Sequence, residues 1–231
     1  MANIAITGAA RGIGLELARQ HLEAGDRVFA LVRNPAAAEK LNAMAAGSNG
    51  QLTVHAMDVA NDASVRDGAA SLGDAKIDVL YNVAGVAGGM APDLNPLDAA
   101  GWAEFDEAIE INMKGPLRVL QHLLPRLGEG AKVMNISSQL AASTWPYGGF
   151  YAYVATKSGL NRLMRSVAID LKDRGITVGL IHPGYVQTDM GGPDAEITPQ
   201  ESAGGIRKLA SEWTLDRSGD FHKWNGEAHA W

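Results

Sequence analysis

Short apolar runs alternate with amphipathic segments along most of the 231-residue chain. Runs of four to six apolar residues have the length of buried β-strands, whereas apolar residues three or four apart predict helices that cover one face of a sheet. The predicted strands are 3–7, 27–32, 52–57, 79–82, 132–136, 177–181 and 220–224, and the predicted helices are 13–24, 36–46, 63–71, 102–127 and 151–173. Gly115-Pro116 predicts a kink within 102–127. This alternation predicts an α/β protein with a doubly wound parallel sheet and helices on both faces.

No proline-, glycine- or serine-rich linker and no shift in composition divides the sequence, which predicts one domain over residues 1–231. The net charge of −6 disfavours a nucleic-acid-binding or membrane-surface protein, since both usually carry a basic face. No apolar run approaches the roughly 18 residues that would span a bilayer. The first residues show no signal-peptide pattern, so we expect a cytoplasmic protein.

The sequence contains no cysteine, which rules out disulfides and thiolate metal sites. Its six histidines show no pairing at the spacing that zinc sites commonly use. We therefore expect no metal in the functional site.

A glycine-rich turn, TGAARGIG over residues 7–14, joins the first predicted strand to the first helix. Gly8 permits a turn with positive φ, whereas Gly12 and Gly14 allow the backbone to approach a ligand closely. The amides at Ile13 and its neighbours then face an anion at the start of the helix. The pattern predicts a site for the pyrophosphate of a dinucleotide, although a tight strand–helix connection is the alternative.

The residue after the second predicted strand points to the form of the dinucleotide. Proteins that prefer NAD often place an acidic residue here to bind the adenosine ribose, but this sequence has Arg33. A guanidinium suits a 2′-phosphate, and Arg11 in the glycine turn supplies a second positive charge. We predict a preference for NADP(H) over NAD(H); the alternative is that Arg33 is an ordinary surface residue.

Polar and small residues follow the third and fourth predicted strands. Asp58 and Val59 end the third, where the carboxylate either accepts a hydrogen bond from adenine or caps the helix that starts near Ala60. The fourth ends in the segment NVAG, in which Asn82, Ala84 and Gly85 leave room for a ribose.

Four further residues suggest chemistry at the opposite end of the cofactor. Ser138 follows the fifth predicted strand, and Tyr153 and Lys157 lie four residues apart on the next helix, hence on one helix face. Tyr151 projects from a different side of that helix. Asn112 lies within the helix that follows the fourth strand.

With these motifs in order, the chain resembles the short-chain dehydrogenase/reductase family, whose fold is a Rossmann-like doubly wound sheet. The resemblance is closest to its C-factor-like, or sniffer-like, carbonyl-reductase branch. The matching features are TGAARGIG, Asp58-Val59, NVAG, Asn112, Ser138, Tyr153 with Lys157, and HPGYVQTDM at 182–190.

The resemblance implies a role for each residue of the reacting end. Tyr153 would be the general acid that protonates the carbonyl oxygen in reduction. Lys157 would bind the nicotinamide ribose and, together with the oxidised cofactor, lower the pKa of the Tyr153 phenol from about 10 towards 7. Ser138 would stabilise charge on the substrate oxygen, and Asn112 would hold a water that relays protons. The resemblance assigns the nicotinamide wall to Pro183, Gly184, Val186 and Thr188.

Two departures from the family pattern concern the site. Val83 replaces the second asparagine of the usual Asn-Asn-Ala-Gly, so a bond that braces the backbone is expected to be lost. The interval from Ser138 to Tyr153 is also longer than usual, and the loop 139–150 is expected to bulge. Ser137 is an alternative to Ser138 as the substrate-binding hydroxyl.

The substrate is expected to lie against the loop 139–150 and the segment 190–199. Leu140, Tyr147 and Met190 offer apolar or aromatic surface without clustered cations, which favours an uncharged, moderately hydrophobic ketone, aldehyde or alcohol. The alternative is that these side chains only pack the loop or an oligomer contact.

The leading prediction is an NADP(H)-dependent oxidoreductase that interconverts a carbonyl compound and an alcohol. One alternative is a cofactor-binding regulatory or signalling protein of the C-factor type with incidental turnover. Another is an NAD-dependent alcohol or diol dehydrogenase. The resemblance further implies a homo-oligomer, a dimer or tetramer, formed through the helices of 102–127 and 151–173.

Overall fold

Seven parallel strands form one sheet in the computed structural model, which describes residues 1–89 and 96–231. The strand order is β3-β2-β1-β4-β5-β6-β7, so the chain reverses its direction of winding between β1 and β4. The strands are β1 Asn3–Thr7, β2 Arg27–Val32, β3 Leu52–Ala56, β4 Ile77–Asn82, β5 Leu127–Ile136, β6 Thr177–His182 and β7 Phe221–Lys223. The predicted α/β fold with a doubly wound sheet is confirmed.

Helices cover both faces of the sheet. The α-helices are α1 Gly12–Glu23, α2 Glu39–Ala46, α3 Asp62–Ala70, α4 Ala99–Ala108, α5 Gly115–Leu123, α6 Tyr151–Leu171 and α7 Pro199–Glu212. Apolar residues of α1, α2 and α7 pack against one face of the sheet. Those of α3, α5 and α6 pack against the other.

The central strands are apolar on both sides because each side faces a helical layer. In β6 all six residues are buried: Leu180 belongs to the core beneath α5 and α6, and the adjacent Ile181 to the core beneath α1 and α7. Shortening a fully buried leucine to alanine in such a core typically costs about 2–5 kcal/mol. The two cores thus hold the strand ends, and the loops that follow them, in fixed positions.

The helix predicted over 102–127 is wrong in its bounds, and it is interrupted directly before the Gly115-Pro116 pair at which a kink is predicted. It begins at Ala99, where the Asp98 side chain accepts a hydrogen bond from the Gly101 amide at 2.8 Å. A π-helical turn, Ile109–Lys114, separates α4 from α5. Pro116 has no N–H to continue the α-helical ladder, which accounts for an irregularity just before it. The chain is already extended at Leu127, which pairs with Ile77 at the start of β5.

Two other helical predictions also differ from the structure. The helix predicted from residue 36 begins at Glu39, after a 3₁₀ turn at Pro35–Ala37. The sequence patterns gave no helix at α7, which starts with a capping box between Thr198 and Glu201. The segment TPQE carries the signal for that box, with proline at the first helical position.

Candidate active site

The predicted functional residues meet at the carboxyl ends of the strands, beside the reversal between β1 and β4. The loops after these two strands run in opposite directions and leave a crevice between them, as is typical of ligand sites in doubly wound sheets. The glycine turn after β1 and the residues that follow β4 and β5 lie together at this edge of the sheet.

Close backbone packing explains the glycines of the turn after β1. Gly8 has φ of +68°, and a Cβ there would lie 2.8 Å from the Cα of Ala84. A Cβ at Gly14 would lie 2.4 Å from the carbonyl oxygen of Gly8. The turn therefore packs closely against the NVAG segment and against the first turn of α1. A larger residue at Gly8 would push the turn away from NVAG, and one at Gly14 would push α1 away from the turn.

Thr7 braces the NVAG segment from the end of β1. Its Oγ1 accepts hydrogen bonds from the amides of Val83 at 3.0 Å and Ala84 at 3.3 Å. This threonine supplies backbone support at the position where Val83 replaces the family's asparagine. Thr7 was not among the predicted site residues, although it opens the motif TGAARGIG.

The N-terminus of α1 presents backbone amides without a side-chain cap. Arg11, the N-cap residue, is extended and makes no capping bond. Gly12 follows with φ of +54°, and a Cβ there would lie 3.1 Å from Cγ2 of Thr188. Backbone amides without a side-chain cap, in a turn where Gly12 and Gly14 carry no side chain, fit the pyrophosphate of a dinucleotide.

The two predicted phosphate-binding arginines differ in their surroundings. Arg33 is exposed directly after β2, at the same edge of the sheet as the glycine turn. The Arg11 guanidinium forms an ion pair at 2.8 Å with Asp189, and both side chains are exposed. An exposed pair of this kind contributes little stability, so Arg11 can exchange Asp189 for another anion at small cost.

Asp58 is not the cap of a helix that begins near Ala60. The α3 helix starts at Asp62, and Asn61 caps it by accepting a hydrogen bond from the Ser64 amide at 2.9 Å. One carboxylate oxygen of Asp58 accepts from the Ala60 amide at 3.0 Å and fixes the turn after β3. Val59 packs against Gly115 at the start of α5.

Buried amides connect β4 to β6 below the predicted ribose region. Asn82 Nδ2 donates to Oδ1 of Asn135 at 2.9 Å, and Asn135 Nδ2 donates to the Gly179 carbonyl at 3.2 Å. Within the described residues, the buried Oδ1 of Asn82 has no hydrogen-bond partner. Asn135 was not among the predicted site residues, because no periodic pattern points to its link with Asn82.

Asn112 ties three segments together from the π-helical turn. Its Oδ1 accepts from the Val86 amide at 2.9 Å, and its Nδ2 donates to the Val86 carbonyl at 2.9 Å and to Thr156 Oγ1 at 3.1 Å. The side chain is fully buried. Both of its amide hydrogens are engaged within the protein, so a water could bind this side chain only as a donor to Oδ1. Gly85 lies alongside, since a Cβ there would be 3.2 Å from that Oδ1 and 3.6 Å from Lys157 Nζ.

Ser137 and Ser138 have different partners. Ser137 is buried, and its hydroxyl donates to Oδ1 of Asn161 in α6 at 2.6 Å. The Ser138 oxygen accepts from the Leu140 amide at 3.2 Å and lies close enough to Tyr153 to act on its phenol. Of the two hydroxyls, that of Ser138 lies beside the tyrosine.

Tyr153 and Lys157 share one face of α6. Lys157 is 4% exposed, its Nζ donates to the Ile136 carbonyl at 2.8 Å, and Nζ lies 5.7 Å from the Tyr153 ring centroid. Burial lowers the pKa of the Lys157 ammonium to about 8. Burial raises the pKa of the Tyr153 phenol, and the hydroxyl of Ser138 partly offsets that rise. The lowering of this pKa that Lys157 and the oxidised cofactor are expected to cause together stays a prediction.

The segment 183–197 forms the remaining wall. The Pro183 carbonyl accepts from the Ser202 hydroxyl at 2.7 Å, and Gly184 has φ of +91° with the indole of Trp224 beside it. Val186 is buried and bridges to Ile197. The Thr188 hydroxyl donates to the Val186 carbonyl at 3.3 Å. The four residues predicted to contact the nicotinamide thus lie on one segment, which is held by hydrogen bonds between its own residues.

The three predicted substrate residues are half-buried or exposed. Tyr147 is 72% exposed and stacks edge-on against Trp145, with ring centroids 5.4 Å apart. Met190 is 44% exposed, and Leu140 is half-buried in a 3₁₀ turn, Gln139–Ala141. The exposure of Tyr147 and Met190 shows that these two side chains do not fill the core of their own loops.

A doubly wound parallel sheet with a glycine turn at the reversal, and with serine, tyrosine and lysine at its carboxyl edge, defines the class of Rossmann-like oxidoreductases. A family model described as short chain dehydrogenase matches residues 2–197, and the chain belongs to that family. The chain is thus a short-chain dehydrogenase/reductase.

The most similar relatives include both a signal protein and carbonyl reductases. The C-signal of Myxococcus xanthus is 39% identical over 160 residues, which cover 67% of this chain and 93% of that protein. The carbonyl reductase Sniffer of D. melanogaster superposes with a TM-score of 0.90 at 29% identity, with full coverage of both chains. NADPH-bound carbonyl reductase from chicken fatty liver gives 0.87 at 32% identity, covering 100% of this chain and 99% of that one. The predicted resemblance to the carbonyl-reductase branch is supported.

Two negative findings concern residues 1–89 and 96–231. No helix there is long and apolar enough to cross a membrane. Within the same residues, no group of three or more metal-binding side chains is close enough to hold an ion.

Proposed function

We propose that the protein is an NADP(H)-dependent carbonyl reductase, which converts a small uncharged ketone or aldehyde to its alcohol. The observation that carries the proposal is the proximity of Ser138 and Lys157 to Tyr153, at the sheet edge that also presents the uncapped start of α1. A carbonyl oxygen beside the phenol and the serine hydroxyl would receive a proton and a stabilising hydrogen bond at one place.

The cofactor is proposed to bind along the crevice from the glycine turn to the segment 183–188. Uncapped amides and positive-φ glycines support its phosphate end, and the exposed Arg33, with Arg11 released from Asp189, provides charge for a 2′-phosphate. When bound, the nicotinamide supplies the hydride. The residues proposed to contact the cofactor are Gly8, Arg11, Gly12, Ile13, Gly14, Arg33, Asp58, Val59, Asn82, Ala84, Gly85, Tyr153, Lys157, Pro183, Gly184, Val186 and Thr188.

Tyr153 is proposed to give its phenolic proton to the carbonyl oxygen as the carbon is reduced. The raised pKa keeps the phenol protonated at neutral pH, which is the form that a general acid needs. The C=O double bond becomes a C–O single bond, the new O–H takes the phenolic proton, and the phenolate remains on Tyr153. Since an alkoxide is a stronger base than a phenolate, this transfer is favourable.

Three other side chains support that step. The Ser138 hydroxyl would donate a hydrogen bond to the substrate oxygen while charge develops on it. The Lys157 ammonium, oriented by the Ile136 carbonyl, would stabilise the phenolate after the transfer. Asn112 holds α6 through Thr156, and Oδ1 is the atom on which it could accept a bond from a relay water.

The substrate is proposed to be uncharged and moderately hydrophobic. Leu140, Tyr147 and Met190 border the proposed entrance with apolar and aromatic atoms. The lysine of the site is buried beneath Tyr153, so it is not available to bind a substrate carboxylate.

The chain is also proposed to assemble as a homodimer or homotetramer through α4, α5 and α6, which light scattering of the purified protein would test.

The decisive experiment is a panel of uncharged ketones and aldehydes, followed by oxidation of NADPH and, separately, NADH. We expect turnover with NADPH for at least one apolar carbonyl and loss of that turnover in Tyr153→Phe. Faster turnover with NADH would contradict the cofactor assignment, and an active Tyr153→Phe would contradict the mechanism.

The similarity to a C-signal protein favours a second candidate, a cofactor-binding signalling protein in which turnover is incidental. The same panel separates the two functions. Tight binding of NADPH, measured by calorimetry, without turnover of any carbonyl would support signalling over reduction.

A further inference from the structure

The segment 224–231 folds back along the edge of the sheet after β7. The Lys223 amide donates to the Glu227 carbonyl at 2.8 Å, and the His229 amide donates to the Phe221 carbonyl at 2.8 Å. His222 and Ala228 form an antiparallel bridge, so the segment returns beside β7 in the opposite direction. This return segment, residues 224–231, ends beside the loop 139–150, which lies between Ser138 and the start of α6.

Trp231 connects the return segment to that loop. Its main-chain oxygen accepts two hydrogen bonds from Ser143, one from the backbone amide and one from the hydroxyl, each at 2.9 Å. Its indole lies over the guanidinium of Arg165 in α6 at 4.6 Å, and its ring meets that of Phe221 at 6.2 Å. One residue therefore joins the loop, the catalytic helix and the last strand.

Ser143 stands at the boundary between two parts of the loop. On its N-terminal side, the Ala141 amide donates to the Ser138 carbonyl at 3.0 Å, and the Ser158 hydroxyl donates to the Ala141 carbonyl at 2.9 Å. On its C-terminal side the loop carries the exposed Tyr147 and reaches α6 through Phe150, which has φ of +55°. A non-glycine residue with positive φ is held there only by its surroundings. The anchor at Ser143 thus lies between the Ser138 turn and the part of the loop that borders the proposed entrance.

We propose that Trp231 is a positioning residue, which sets the loop 139–150 through Ser143 and thereby determines how tightly the carbonyl substrate binds. The expected change in substrate binding rests on the proposed function; the expected change in the loop does not. None of these contacts of Trp231 involves the glycine turn or the Tyr153–Lys157 pair, so we expect its loss to change the loop and to spare the cofactor site.

Hydrogen exchange of the full chain tests the structural half of the proposal. Trp231→Ala keeps the main-chain oxygen but removes the indole ring that packs with Arg165. We expect hydrogen exchange in peptides covering 139–150 to become about tenfold faster, which corresponds to the loss of one to two hydrogen bonds. Peptides from the glycine turn should not change. Arg165→Ala should act in the same direction, Trp231→Phe should restore protection, and Arg162→Ala, one turn away on α6, is the matched control. Unchanged exchange of 139–150 in Trp231→Ala would overturn the proposal.

Steady-state kinetics test the functional half with the best carbonyl from the panel. In Trp231→Ala we expect KM for the carbonyl to rise about three- to tenfold, while kcat and the Kd for NADPH stay within about twofold. An unchanged KM, or a loss of NADPH affinity equal to the loss of substrate affinity, would contradict the positioning role. If the full chain reduces no carbonyl, the proposed function fails, and the exchange experiment still decides whether Trp231 positions the loop.

Discussion

The Nζ atom of Lys157 lies 5.7 Å from the centroid of the Tyr153 ring, one helical turn along α6, and the lysine side chain is buried beneath the tyrosine. Tyr151, two residues earlier, is 38% exposed and has no lysine four residues later. The two phenols of the segment YAYVATK therefore have different environments, although they are neighbours in sequence.

This difference predicts opposite effects of two conservative substitutions. Tyr153→Phe should lower kcat/KM for carbonyl reduction by about 10²–10⁴, the usual contribution of a positioned general acid. Tyr151→Phe should leave it within about threefold, because its hydroxyl is outside the site. Steady-state kinetics of both variants with NADPH are the measurement, and circular dichroism controls for folding. A large loss in Tyr151→Phe with activity kept in Tyr153→Phe would reverse the assignment.

The two adjacent serines give a second matched pair. Ser138→Ala should reduce kcat by about 10–10³, since it removes a donor to the developing oxyanion. Ser137→Ala leaves Asn161 without its buried partner and should lower the free energy of unfolding by about 1–3 kcal/mol while kcat changes little. Urea denaturation and kinetics of both variants separate the two roles. Equal effects of the two substitutions on kcat would contradict this separation.

Arg33 is expected to set the choice of cofactor. Arg33→Ala should weaken NADPH binding by about tenfold or more and leave NADH binding nearly unchanged, because only NADPH carries the 2′-phosphate. Arg66→Ala, an exposed arginine on α3, serves as the control. Comparable efficiencies of the native protein with NADPH and NADH, or an unchanged ratio in Arg33→Ala, would show that the preference lies elsewhere.

The buried Lys157 predicts a pH dependence of stability. Its pKa is lowered to about 8 in the folded protein, so between pH 8 and the unfolded value of 10.5 the unfolded chain binds more protons. The contribution of this group to the free energy of unfolding therefore rises with pH over that interval. At lower pH the burial of the ammonium reduces stability.

Lys157→Met removes this titration. The free energy of unfolding of the variant minus that of the native protein should be about 2 kcal/mol larger at pH 7 than at pH 9.5. Urea denaturation at the two pH values gives the comparison, and Lys40→Met, at an exposed position on α2, gives the control. A stability difference that does not change with pH would mean that Lys157 does not titrate in this range.

Backbone packing at the glycine turn predicts a stability loss that does not depend on function. Gly14→Ala should lower the free energy of unfolding by more than about 2 kcal/mol, because its Cβ would overlap the Gly8 carbonyl. Gly128→Ala is the control, since a Cβ there meets nothing within 4 Å. Thermal melts of the two proteins would show the contrast, and a shared melting temperature would contradict it.

The periodic part of the fold was predictable, and the irregular part was not. Every strand among the described residues was predicted, and strands such as β1 and β2 were identified by local runs of buried apolar residues. The π-helical turn at Asn112 was not predicted, because it depends on how α4, Pro116 and α6 pack together. The bounds of the helix over 102–127 were wrong because periodicity continues through the turn that interrupts it; Gly115-Pro116 indicated a kink but not the π-helical turn before it. The start of α7 had a local signal, the capping box at Thr198, which the strand-and-helix pattern did not include.

The chemistry of the site divides in the same way. Tyr153 and Lys157 were found from the i, i+4 spacing, and the glycine turn from its position between strand and helix. The supporting contacts of Thr7, Thr156 and Asn135 were not predicted, because each of them joins segments that are far apart in the chain and leaves no local sequence pattern.

The sequence by itself determined the doubly wound sheet, the edge at which the functional residues gather and which tyrosine shares a face with the lysine. These features follow from local periodicity and from the geometry of parallel strands, which place strand ends at one edge. The tertiary structure alone decided that Ser137 turns to Asn161 while Ser138 lies by Tyr153, and that burial lowers the pKa of Lys157 and raises that of Tyr153. It alone brought Trp231 to Ser143. Side-chain direction, burial and contacts between distant segments arise only when the helices pack on the sheet, so no residue type or spacing encodes them locally.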